Sequence, residues 1–172
     1  TKKVYAKAIL KDPELYFTPE VMEQLDSIAK EEFSYGSWLL EQVEFLVLRN
    51  LLHNEEYLRK VIPFIKGDYF EDPKQRMVYE EILDFVEKYN EPATKEVLCI
   101  ELEKRKDIND ENFKDVVHLV TNLEDVPAEF NWLCDTTEKW CRERAIYLAL
   151  MESISIADGQ QDEKTADAIP SI

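Results

Sequence analysis

Residues 41–89 read EQVEFLVLRNLLHNEEYLRKVIPFIKGDYFEDPKQRMVYEEILDFVEKY, a succession of helix signals separated by short breaks. Between positions 43 and 52 the apolar residues Val43, Phe45, Leu46, Val47, Leu48, Leu51 and Leu52 are so dense that this helix is expected to be enclosed on most sides. A surface helix keeps a single apolar stripe instead. The stretch is therefore the expected core, with the rest of the chain attached to it.

Working outward, the breaks define the helices. Ser37 is a candidate cap for a helix over 38–53, and Asn54 for the next, which Pro63 limits to about two turns. Gly67 marks a sharp bend. Asp72-Pro73 then supplies a capping side chain followed by a proline at the first helical position, with Gln75 where a capping-box partner sits. The helix it opens, over 73–89, puts Met77, Val78, Ile82, Phe85 and Val86 on one face and Glu80, Glu81 and Asp84 on the other. Thr94 and Asn109 or Asp110 open two further helices. After Val126-Pro127 the longest helical pattern runs over about 128–157 without an internal proline or glycine. Such a helix reaches ~45 Å, more than a domain of this size covers, so part of it is expected to protrude. Gly159 is expected to close it, and a polar run leads to a fresh helix start at Thr165, Ala166, Ala168 and Ile169.

The segment before the core differs in charge. Lys2, Lys3, Lys7 and Lys11 stand among the first eleven residues with no acid, and Asp12-Pro13 breaks the pattern. Thr18-Pro19-Glu20 then opens an amphipathic helix over 19–31, with Val21, Met22, Leu25, Ile28 and Ala29 on one face. The expected architecture is all-α: an N-terminal helical extension (1–38), a compact helical bundle (39–125), one long helix that is half of a helical hairpin (126–158), and a linker with a truncated helix (159–172).

Composition agrees and excludes several functions. The 172 residues contain three glycines, are 45% hydrophobic and carry 37 acids against 21 bases, a formal charge of −16. That charge repels polyanions, which argues against nucleic acid as a direct partner. Three cysteines without a CxxC pair suit a reducing compartment, and the cytoplasm is the expected location. No apolar run approaches a membrane span.

Catalytic motifs are missing. There is no GxxxxGK[ST] loop, GxGxxG or HExxH, and isolated glycines cannot cradle a phosphate. His53 and His118 read as helix-surface or partly buried histidines. Cys134 and Cys141, two turns apart, read as small residues of a packing seam. The acid pairs Glu31-Glu32, Glu55-Glu56 and Glu80-Glu81 read as solvated helix faces. The long helix is more suggestive: Lys139, Arg142 and Arg144 lie beside Trp140 and Tyr147, either paired with Glu138 and Glu143 or free for an acidic partner. Neither a cofactor nor a metal site is expected in this chain.

Several of these residues also carry a resemblance. Leu51-Leu52 with Asn54 and Tyr57-Leu58, then Asp68-Tyr69-Phe70, Gln75-Arg76-Met77-Val78-Tyr79, Ile82, Phe85, Pro92-Ala93-Thr94 and Leu98 through Leu102 resemble the N-terminal domain of DnaB-type replicative helicases, particularly the phage branch. Arg142-Glu143-Arg144-Ala145 matches the RERA element of that family's long helix. A position often held by histidine there is Gln75 or Arg76 here. The similarity spans about residues 42–160.

The resemblance implies a non-catalytic collar domain of a hexameric helicase. Such domains pair through helical hairpins into a trimer of dimers, bind primase, and sit above RecA-like motors that carry the ATP and magnesium sites and the contact with DNA. The residues expected to mediate self-association or partner binding are Trp132, Trp140, Arg142, Arg144, Tyr147, Leu148 and Met151. Expected partners are further copies of the chain (dimer, trimer of dimers or hexamer), primase and a helicase loader, in the host cytoplasm if the protein is phage-encoded. An alternative is the helicase-binding domain of a primase or loader, which shares the helical architecture. A stand-alone helical adaptor unrelated to replication is a third reading.

Overall fold

The computed structural model describes the backbone of residues 37–161 and the side chains of residues 38–158. Six α-helices follow one another, with no strand among the described residues: α1 (Ser37–His53), α2 (Glu55–Val61), α3 (Pro73–Tyr89), α4 (Lys95–Glu103), α5 (Asp110–Thr121) and α6 (Phe130–Gln161). The all-α class is thus the observed one. The lysine-rich segment 1–11, the amphipathic helix expected over 19–31 and the new helix expected from Thr165 lie outside the described residues.

Helix starts follow the local chemistry of the chain. Asn54 Oδ1 accepts from the Tyr57 N–H at 3.1 Å, and Asp72 Oδ1 from Lys74 and Gln75 at 2.7 and 3.3 Å. Thr94 Oγ1 accepts from Val97 at 3.2 Å, and Asn109 Oδ1 from Asn112 at 2.8 Å. Each side chain satisfies amide groups that the first turn of a helix leaves without partners, worth about 1 kcal/mol apiece. Pro63 ends α2 by opening a single 3-10 turn, Ile62–Phe64, where its missing N–H costs no hydrogen bond. Asn90, at φ 54°, closes α3 in the left-handed region.

Four local readings are corrected. Gln75 is only 2% exposed and is packed into the domain instead of completing a capping box. The turn at Gly67–Tyr69 makes no use of positive φ. A Cβ on Gly67 would meet Arg76 Cγ at 3.8 Å and Glu80 Cγ at 4.0 Å, which is ordinary contact. The long helix starts at Phe130, where the Glu129 carboxylate accepts from the N–H groups of Asn131 (3.2 Å) and Trp132 (2.6 Å). It then runs through Gly159 to Gln161, since a helical glycine costs only about 1 kcal/mol against alanine.

Packing selects which faces close. In α1 the enclosed residues are Val47, Leu48, Leu51 and Leu52, all 6% exposed or less, while Val43, Phe45 and Leu46 are half-buried. Full enclosure therefore belongs to the second half of the helix. Two polar side chains are buried with them: the Glu44 carboxylate accepts from the Glu71 N–H at 2.9 and 3.3 Å, and Asn50 donates to the Leu46 carbonyl at 2.8 Å. In α3 the closed set is Gln75, Val78, Tyr79 and Ile82, with Met77, Phe85 and Val86 half-buried. Helices α3, α4 and α5 pack on one another, contributing Leu98, Leu102, Val116 and Val120 to the core. Each such aliphatic side chain stabilises the fold by about 1.5–3 kcal/mol.

By its internal contacts the domain runs from Trp38 to Cys141 and includes the opening turns of α6. Residues from Arg142 onward belong to a second unit.

Candidate interaction surface

The helix singled out in the sequence, α6, is 32 residues and so about 48 Å long. Leu133, Thr137 and Trp140 are 0%, 2% and 4% exposed, a stripe at four- and three-residue spacing. Trp140 packs edge-on against Phe70 and Tyr69, with ring centres 5.0 and 6.0 Å apart. Thr137 donates to the Leu133 carbonyl at 2.8 Å, so the Tyr57 hydroxyl, 2.6 Å away, donates to Thr137 Oγ1. Burial pushes the Tyr57 and Tyr79 hydroxyls well above the usual phenol range. It also pushes the Cys141 thiol up to about 11. Both Cys134 and Cys141 are half-buried free thiols.

The seven residues expected to mediate association are thus placed unequally. Trp132 is 53% exposed and Arg142 is exposed, whereas Trp140 is enclosed by the aromatic residues of its own domain. Arg144 is 4% exposed, with its guanidinium 4.8 Å from the centre of the Tyr147 ring. Tyr147, Leu148 and Met151 are half-buried. Helical spacing puts Trp140, Arg144, Tyr147 and Met151 on one stripe and Arg142 on the opposite side. They do not form one patch.

Sequence reading missed two clusters built by residues far apart in the chain. Arg105, with its side chain 19% exposed, meets Glu81 at 3.0 Å, Asp107 at 2.8 Å and Glu80 at 3.5 Å. Glu81 is consequently enclosed and is no solvated carboxylate; burial raises its pKa despite the arginine. The second cluster is a cavity of about 410 Å³ among α1, α3 and α5, lined by Glu41, Phe45, Lys74, Gln75, Asp115 and Leu119 among others. Lys74 Nζ donates to Asp115 Oδ2 at 2.7 Å. His118 Nε2 and Asn122 Nδ2, also in the lining, lie 3.1 Å apart. A cavity whose walls come from three helices has no linear motif by which to find it.

Among the described residues no group of three or more His, Cys, Asp or Glu side chains is placed to hold a metal, and no helix is long and apolar enough to cross a membrane. The arrangement defines a class: an all-α domain with faces for binding and a long helix leaving it. Residues 40–131 match the family model described as the DnaB-like helicase N terminal domain, and the chain belongs to that family. It is also 27% identical over 111 residues to a DnaB-like replicative helicase of Enterobacteria phage T4. That alignment covers 64% of this chain and 23% of its relative, so the chain spans about a quarter of the relative's length.

Proposed function

We propose that the chain serves as the non-catalytic N-terminal domain of a hexameric replicative DNA helicase, where it helps assemble the ring and binds primase or a helicase loader. The observation that carries this reading is the family match over residues 40–131, which ends where the 32-residue α6 begins. Self-association uses α6, with Trp132, Arg142, Tyr147, Leu148 and Met151 as the contact residues still accessible in whole or part. ATP, magnesium and DNA are handled by a motor region of the parent protein, in the host cytoplasm if phage-encoded.

Sedimentation velocity over a wide concentration range tests the assignment. Dimers, trimers of dimers or hexamers are expected. A strict monomer at high concentration would transfer the chain to the other replication reading, the helicase-binding domain of a primase or loader.

A further inference from the structure

The cavity among α1, α3 and α5 is unevenly supplied with hydrogen-bonding groups. Its donors are largely engaged: Lys74 Nζ is held by Asp115 Oδ2 at 2.7 Å, and the Asn122 amide and His118 ring face each other at 3.1 Å. Its acceptors are not. Glu41 makes no ion pair among the described residues, Asp115 keeps its second oxygen, and the Oε1 of Gln75 accepts no hydrogen bond although the residue is 2% exposed. A buried carbonyl without a donor is rare in a folded protein and marks a place where a partner group is missing. The local charge points the same way. Asp72, Glu111 and Asp115 all favour the charged form of Lys74, and Glu41 adds a further carboxylate to the cavity, so acids outnumber the single lysine. Phe45 and Leu119 supply an apolar wall.

A ligand that suits this wall has several N–H donors, a positive charge and an apolar stem. A guanidinium presents its donors as a rigid planar fork and stacks on aromatic rings, whereas an ammonium is a compact, strongly hydrated point charge. The volume, about 410 Å³, lies at the small end of ordinary ligand sites. We propose that this cavity receives an arginine side chain from a basic segment of a partner protein, with the guanidinium held by Glu41, Asp115 and Gln75 and the stem lying on Phe45 and Leu119. The site is separate from α6 and does not depend on how the chain self-associates.

The test is an amide-resolved NMR titration of the full chain with three glycine-flanked peptides carrying arginine, lysine or citrulline. The arginine peptide is expected to give saturable shifts at Phe45, Gln75 and Leu119, with binding about tenfold weaker in the E41Q and D115N variants. Citrulline, which keeps the shape without the charge, is expected to give no saturable shift. Equal binding of citrulline or of lysine overturns the guanidinium assignment. Shifts that spread over the acidic surface without saturating, or that persist unchanged in E41Q and D115N, overturn the site itself. Glu41 and Asp115 are exposed, so thermal melting that matches the parent certifies that both variants are folded.

Discussion

On one side of α3, Tyr79 stacks on Phe70 with ring centres 5.0 Å apart and Trp140 closes over Phe70 at another 5.0 Å; on the other, toward α1 and α5, about 410 Å³ is left open. The same helix borders both. The first side is filled by large rings, and its two phenols have acceptors: Tyr57 donates to Thr137 at 2.6 Å and Tyr79 to the Ile65 carbonyl at 2.8 Å. The second is walled by carboxylates, an amide and two apolar side chains, with acceptors to spare. Close packing with paired polar groups stabilises a fold, while an open space with unpaired acceptors adds little stability and leaves groups for recognition. The contrast separates the residues on which folding depends from those available for a partner.

The largest expected effect breaks the aromatic side. Trp140→Ala removes a ring enclosed by Tyr69 and Phe70 and should lower stability by about 3–5 kcal/mol in urea denaturation. Trp140→Phe should cost much less, because it keeps most of the packing and removes an indole N–H that finds no acceptor among the described residues. A Trp140→Ala variant as stable as its parent would show that the ring is not packed in the core.

Next in size is the buried hydroxyl pair. Thr137→Val leaves the Tyr57 hydroxyl without its acceptor and should cost about 1–3 kcal/mol, and adding Tyr57→Phe should recover part of that loss. Additive losses in that double-mutant cycle would show that the two hydroxyls do not couple.

Alkaline pH probes the same side. The Cys141 thiol is raised from 9.0 to about 11 by burial, and Tyr57 and Tyr79 are raised by the same cause. The protonated forms are therefore favoured in the fold. Their contribution is fully present below about pH 9, where the unfolded thiol is also protonated, and is lost as pH rises toward about 11. The urea midpoint should fall between about pH 8 and about pH 10.5, and Cys141→Ala should flatten part of that fall. A midpoint unchanged across this range would contradict the burial of these groups.

The smallest expected effect lies across α3, in the cavity. Glu41→Gln should change stability by less than about 0.5 kcal/mol, since Glu41 is exposed and has no ion pair among the described residues. The same change should weaken binding of the arginine peptide about tenfold. A stability loss as large as that of Thr137→Val would erase the distinction between the two sides.

Legibility in the sequence follows the range of the interaction. Asn54, Asp72, Thr94 and Asn109 were readable as caps because each acts on amides two or three residues away. Glu129 was missed because a glutamate before a helix usually reads as part of its first turn. The face of α3 was half legible: periodicity found Val78 and Ile82, but Tyr79 and Gln75 are buried because Phe70, the Ile65 carbonyl and the neighbouring helices surround them. Among the seven candidate contact residues, aromatic and basic character did not distinguish the exposed Trp132 from the enclosed Trp140.

The order of amino acids alone is enough to set the all-α class, four of the helix starts and the family, since capping, proline geometry and helical periodicity are local properties and the family pattern is linear. Folding in three dimensions pairs His53 with the Leu123 carbonyl across 70 positions, Tyr57 with Thr137 across 80 and Glu81 with Arg105 across 24. Which ring is enclosed, which acid is paired and where a cavity remains depend on side chains that meet only when the helices pack, so no local rule contains them.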